Sequence, residues 1–447
     1  MTRIRLEQIR DCLEGGVPAT IATCGEDGLP NVSLLTQVQY ADSDHVALTY
    51  QFFNKTRRNI LANPYAMVQV MDPVSAMEFR LTLRYLRTET SGPLFEAMRA
   101  RLAGIAAHAR MQDVFVLRGA DVYRVLDIEA VDDTGRLPCN GPRPSLLPAV
   151  RQICGRLSRC PDLEDLLETA LDEITRQFGI RHVMMFMAGS HPGSDITQDR
   201  LYALASRGFD SSGAGFEVSL QDGIVGVAAR ERVPIRITNV AAEYSYTRVA
   251  GGEDRTGPLS GIPFPGRIPP GSQMAVPVQC GQRLLGVLYA ESAEEWRFSY
   301  DDEDALATVA SQLSVMMALL EATAAPADPD PARSCQHGGG PPVMIRHYAV
   351  DDSVFIDGDY LIKGTAGAIL HIILRDYLRD GRCDITNREL RLHPDLRLPE
   401  VSDNLEARLI LLQRRLTDRG SALSLQKTGR GRLRLVLRGP VHLEEVP

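Results

Sequence analysis

Lys55, Thr56, Arg57 and Arg58 fall within one turn of the run NKTRRNILANP. Three cations and a hydroxyl at that density supply the charge-assisted donors that a phosphate dianion needs. The same four residues would also serve as a solvated basic helix face. A second basic set lies near the end of the chain. Arg408, Arg414 and Arg415 sit in a helix-patterned segment, and Lys427, Arg430 and Arg432 surround Gly429 and Gly431. Cations placed on a helix and on a following hairpin suit the phosphates of a nucleic acid. The alternative is that Glu406 and Asp418 neutralise them on an exposed surface. Other candidates carry less chemistry. The eight cysteines (12, 24, 139, 154, 160, 280, 335, 383) form no CxxC, so no metal site is expected and mostly reduced thiols are. His108 stands alone near a helix end, where an imidazole is more often a charge partner than a catalyst.

These groups need elements to hold them. A chain of 447 residues is too long for one ordinary core. Two Gly/Pro-rich segments, 132–150 and 322–342, read as linkers and divide it into 1–131, 151–321 and 343–447. The net charge of −8 excludes wholesale coating of nucleic acid but not one basic module. The N-terminal stretch lacks the apolar centre of a signal peptide. No run approaches the roughly 20 apolar residues that span a bilayer, so a cytoplasmic chain without a membrane segment is expected.

The first segment reads as strands at 18–24, 30–41 and 45–53, a basic helix at 54–64, strands at 66–72 and 77–90, a helix at 93–110 and strands at 113–131. Many short strands with two helices fit a small antiparallel barrel. The order TIAT-x-GEDGLPNVS, FFNKTRRNILANP, RLTLRYLRTET resembles the split β-barrel of pyridoxamine 5′-phosphate oxidases and related flavoproteins. The resemblance implies that Lys55, Thr56, Arg57 and Arg58 hold the phosphate of FMN. It does not imply a reaction, because the substrate residues of the oxidase have no counterparts here and the fold hosts several functions.

The middle segment opens with DLEDLLETALDEITRQFGI, whose apolar residues share one helical face. SRGF, DGIVGVAARERVPIRITNV, AVPVQCGQRLLGVLYAES and DDEDALATVASQLS follow in an order that resembles a GAF domain, an α/β sandwich. The resemblance implies a small-molecule effector and a parallel dimer. The Gly/Pro-rich loop 244–271 is long enough to cover a pocket, and Tyr244, Tyr246 and Arg248 are its candidate lining. No attachment cysteine for a bilin stands out.

In the last segment, an apolar helix at 361–382, a capped short helix at Thr386-Asn387, a long helix at 403–420 and a basic hairpin at 424–437 succeed one another. Leu405, Leu409, Leu412 and Leu416 mark one face of the long helix. The order resembles the winged-helix output domain of response regulators, which implies Arg408, Arg414 and Arg415 in a DNA groove and Lys427, Arg430 and Arg432 on the backbone. No receiver domain precedes it, and RLHPDLRLPEV lengthens the turn before the long helix.

The expectation is therefore a multidomain α+β chain: split barrel, GAF domain, winged helix. Two sensor-like modules followed by one basic module suggest a homodimeric one-component transcription regulator that binds DNA. The alternative is a flavin-dependent oxidoreductase with regulatory domains.

Overall fold

The computed structural model describes residues 4–13, 19–35, 38–50, 55–72, 75–108, 117–131, 145–189, 200–220, 223–237, 265, 270–295, 297–323, 339–396, 405–429 and 431–446.

After a short 3-10 helix at Leu6–Leu13, the first domain runs through β1 (Ala19–Cys24), β2 (Pro30–Leu35), β3 (Val38–Tyr40) and β4 (His45–Tyr50). Helix α1 (Lys55–Ala62), β5 (Tyr65–Met71), β6 (Glu78–Glu89), α2 (Pro93–His108) and β7 (Gly119–Ala130) complete it. The strands form one seven-stranded sheet in the order β2-β1-β5-β6-β7-β4-β3, with every pair antiparallel. Alternate residues point inward, as a half-barrel requires. Ile21, Val46, Val68, Leu81 and Leu83 meet in one core, which shows the sheet curling onto itself. Helix α1 packs across β1 and β2 and so starts beside the strands whose hydroxyls face it.

The middle domain begins with α3 (Leu147–Leu157) and α4 (Leu163–Phe178). Asp162 caps α4 by accepting from the Asp165 amide, and Gly179 ends it at φ 66°. There follow β8 (His182–Gly189), β9 (Arg200–Arg207), β10 (Glu217–Ser219), α5 (Gly223–Glu231), β11 (Ile235–Ile237), β12 (Ser272–Cys280), β13 (Arg283–Ser292) and α6 (Tyr300–Ala322). The sheet order is β10-β9-β8-β13-β12-β11. Helices α3, α4 and α6 cover one face and α5 the other, so successive residues of each strand feed two separate cores. Helix α6 is long and apolar enough, by length and composition, to cross a bilayer. In the fold it opens with a Ser299–Asp302 capping box and buries Leu306, Val309, Ala310 and Leu313 against the sheet.

The third domain comprises β14 (Val343–Tyr348), β15 (Ser353–Ile356), β16 (Asp359–Ile362), α7 (Thr365–Asp380), β17 (Asp384–Thr386) and α8 (Asn387–Leu392). Helix α9 (Leu405–Asp418) and strands β18 (Leu423–Gly429), β19 (Arg432–Leu437) and β20 (Val441–Val446) follow. Strand β20 returns to pair in parallel with β14, giving the sheet β16-β15-β14-β20. The second sheet is β17-β19-β18. Gly367 lets α7 approach the turn between β14 and β15: a Cβ there would lie 1.9 Å from the Asp352 carbonyl oxygen.

One expectation changes here. Leu405, Leu409, Leu412 and Leu416 of α9 are buried as expected, but Arg408, Ile410, Leu411 and Arg415 are buried too. The helix is covered on both sides because the middle and third domains share one continuous apolar core. Cys383 is disulfide-bonded and nearly inaccessible, whereas Cys12, Cys24, Cys154, Cys160 and Cys280 are free, in keeping with mostly reduced thiols.

Candidate functional site

The four residues of the first basic set do not act alike. Lys55 and Arg58 are exposed on the first turn of α1. Thr56 is buried, and its hydroxyl meets Asn31 Nδ2 at 2.9 Å and Ser33 Oγ at 2.8 Å on β2. Arg57 turns into the domain. Its Nη1 donates to Asp121 Oδ1, and its Nη2 donates to Thr88 Oγ1 at 2.8 Å. Thr88 in turn donates to Asp121 at 2.6 Å, and the Tyr85 hydroxyl lies 2.7 Å from Thr88. Tyr123 packs edge-on against Tyr85, and burial pushes its phenol well above the ordinary range. The arrangement divides labour. Asp121 and Thr88 hold Arg57, Asn31 and Ser33 hold Thr56, and the outward charge available to a phosphate comes from Lys55 and Arg58. That donor set fits a phosphate, with Arg57 serving to fix the turn.

The second basic set is brought together by the middle domain. The Arg414 guanidinium pairs with Glu168 of α4, and its Nη1 donates to the Leu204 carbonyl of β9 at 3.0 Å. The Lys427 ammonium lies 2.7 Å from Asp162 and 3.9 Å from Glu164. Arg408 stacks with its guanidinium carbon 4.3 Å from the centre of the Tyr202 ring. Gly189 makes room for it, since a Cβ there would come within 2.5 Å of Arg408 Nη2. Arg415 belongs to its own domain: its Nε donates to the Leu361 carbonyl at 3.0 Å. Burial lowers its pKa. Arg432 is half-buried on β19. Neither Glu406 nor Asp418 neutralises Arg414; the acid that does lies in another domain. Arg430 and the loop residues Tyr244, Tyr246 and Arg248 lie outside the described residues.

Asp162 shows the electrostatics of this contact. Burial raises its pKa, but Lys427 and the backbone amides of Asp165 and Glu164 more than offset that and leave it lowered. Sequence reasoning missed Asp121, Thr88, Glu168 and Asp162. The signal for Asp162 and Glu168 was present as DLEDLLETALDE, six carboxylates without a cation.

The first and middle domains also touch. Arg10 is sandwiched between Tyr40 and Tyr300, at 4.8 and 4.0 Å from the ring centres. Behind Tyr300 lies the fully buried Arg236, paired with Glu303 at 2.7 Å.

Comparison with known proteins assigns two of the domains. The family model described as pyridoxamine 5′-phosphate oxidase matches residues 6–129, and that described as GAF domain matches residues 162–317. The chain carries a pyridoxamine 5′-phosphate oxidase-like domain followed by a GAF domain. No curated protein matches the chain. Among solved structures, an FMN-binding protein from Syntrophomonas wolfei is 17% identical, with 28% of this chain and 86% of that one covered and a TM-score of 0.25. The GAF domain of an Acinetobacter phosphoenolpyruvate-protein phosphotransferase is 19% identical, with 40% and 95% covered and a TM-score of 0.30. A free methionine-R-sulfoxide reductase from Neisseria meningitidis, in complex with its substrate, is 17% identical, with 40% and 90% covered and a TM-score of 0.31.

Proposed function

We propose that this chain is a cytoplasmic, dimeric one-component regulator that binds duplex DNA through its third domain. The observation that carries the reading is the order of modules. A flavoprotein-like barrel and a GAF domain, both fitted to sensing, precede a helix–short helix–long helix–hairpin unit with cations on its long helix and hairpin. That order suits a winged helix. Arg408, Arg414, Lys427, Arg430 and Arg432 are its proposed phosphate contacts. Arg415 is assigned to the domain's interior instead. The test is fluorescence anisotropy of the full chain with labelled fragments from upstream of its own gene. The expected result is binding that weakens as salt rises. A folded chain with no salt-sensitive binding, even at low ionic strength, refutes the reading.

The barrel's proposed ligand is FMN, its phosphate held by Lys55 and Arg58. When bound, flavin would supply a redox-sensitive group. The purified protein is expected to absorb in the blue, and Lys55→Ala with Arg58→Ala to abolish that band while leaving the fold intact. A colourless wild-type protein that gains no band from added FMN removes flavin from the account.

A further inference from the structure

We infer that helix α4 of the GAF domain is a built-in competitor of nucleic acid: its carboxylates occupy Arg414 and Lys427 of the third domain and keep the chain closed. The inference rests on the DNA-binding reading above. Glu164, Glu168 and Asp172 follow at one per turn, about 6 Å apart along the axis. Asp162 precedes them at the cap. No cation interrupts the stretch from Asp162 to Glu173. Asp162 and Glu164 meet Lys427, Glu168 is shared between Arg414 and Arg207 of the neighbouring strand β9, and Asp172 meets Arg207. The N-terminal half of the row, Asp162, Glu164 and Glu168, presents to the third domain the negative charge that a phosphate backbone would present.

The occupancy is exclusive. Arg414 spends Nη2 on Glu168 and Nη1 on the Leu204 carbonyl and is largely buried between them. A phosphate approaching Lys427 meets the carboxylates of Asp162 and Glu164 beside it, which neutralise the ammonium and repel the phosphate. Helix α9 is also covered by Tyr202, so no groove can accept it while the domains are closed. Opening must precede binding, and whatever shifts the open fraction shifts the apparent affinity by the same factor.

The contact is wired to the GAF interior. Tyr202 and Leu204 of β9 face α9 and the helical core. Leu201 and Ala203, the intervening residues, face the core under α5. One strand therefore lines both the closing surface and the opposite layer of the GAF domain. A ligand that repacks the α5 side must move the strand carrying Tyr202 and the Leu204 carbonyl.

The test uses the full chain with Asp162→Asn and Glu168→Gln together. Asn caps a helix as well as Asp, and Gln is isosteric with Glu, so α4 is expected to fold. Two readouts are taken: anisotropy with duplex DNA, and the acylation rate of Lys427 followed by mass spectrometry. The expected result is DNA binding tighter by about 10- to 100-fold, the sum of two half-buried charged contacts, with faster acylation of Lys427. Wild-type binding that the variant does not improve overturns the inference and leaves the DNA reading standing. An unchanged Lys427 rate shows that the carboxylates do not close the chain, and also overturns it. A variant that exposes Lys427 while neither protein binds DNA overturns the DNA reading itself, and the inference with it.

Discussion

Arg57 was expected to hold a phosphate, and the structure gives it a different task that can be measured. Its guanidinium and the Asp121 carboxylate are 14% and 8% exposed, so the pair is largely desolvated. Removing one partner of such a pair leaves an uncompensated charge and costs about 3–5 kcal/mol. The Thr88 hydroxyl bonds both partners, so each single deletion disturbs the same three-residue network. Arg57→Ala and Asp121→Ala should therefore each cost about 3 kcal/mol, and the double variant little more. The interaction energy from the cycle would then be about 2–3 kcal/mol. A three-domain chain does not unfold in two states, so the readout is hydrogen exchange of peptides spanning β6 and β7, which reports the barrel alone. Lys55→Ala, at an exposed position, should stay within about 0.5 kcal/mol in the same assay. Additive single costs below about 1 kcal/mol for Arg57 and Asp121 would refute the network and return Arg57 to the solvent-facing phosphate set.

Other perturbations test other parts of the fold. Because Asp162 titrates below its ordinary value of 3.8, its contribution to the closed contact is complete above that pH and is lost as the pH falls through the lowered value. Lys427 acylation cannot be followed at such pH, so the protection of β18 amides, measured relative to the intrinsic exchange rate at each pH, should be flat from neutrality to about pH 4 and fall below it. Gly367→Ala should cost about 1–3 kcal/mol by forcing α7 away from the Asp352 carbonyl, seen as faster exchange in β15 and α7. Arg236→Ala should cost about 3–5 kcal/mol in the GAF domain, because it strands Glu303 and empties the space behind Tyr300. Equal melting of wild type and this variant by calorimetry would contradict that.

Local rules made much of this chain legible. Alternation in ATIATC and in EFRLTL fixes which residues of β1 and β6 enter the barrel, and both strands bury the alternate set. The proline after NKTRRNILAN closes α1 close to where it ends. Asp162 and Gly179 bracket α4 as a cap and a left-handed stop. The pairing of β20 with β14 was not legible, because Val343 and Val441 are joined by parallel register across most of the domain. Asp121 was equally hidden: nothing in GADVY says that its partner is an arginine on a helix far back in the sequence.

Helix α9 shows where a legible signal was read too narrowly. Leu405, Leu409, Leu412 and Leu416 define a stripe, and one stripe implies one buried face. Ile410 and Leu411 lie off that stripe, and a helix that is apolar around most of its circumference is buried around it. A second covering surface was therefore written into LILL, although only the fold shows that it comes from the GAF domain. Two consequences separate by their physics. The apolar part of that surface is indifferent to salt, whereas the Lys427–Asp162 and Arg414–Glu168 contacts are only partly buried and are screened by it. Salt therefore loosens the closed chain while it weakens attraction to a phosphate backbone. For the chain proposed here the two effects oppose, and the wild-type salt dependence of DNA binding must be shallower than that of the Asp162→Asn, Glu168→Gln variant. A shallow slope in the wild type is then a signature of competition between carboxylate and phosphate, not of few contacts.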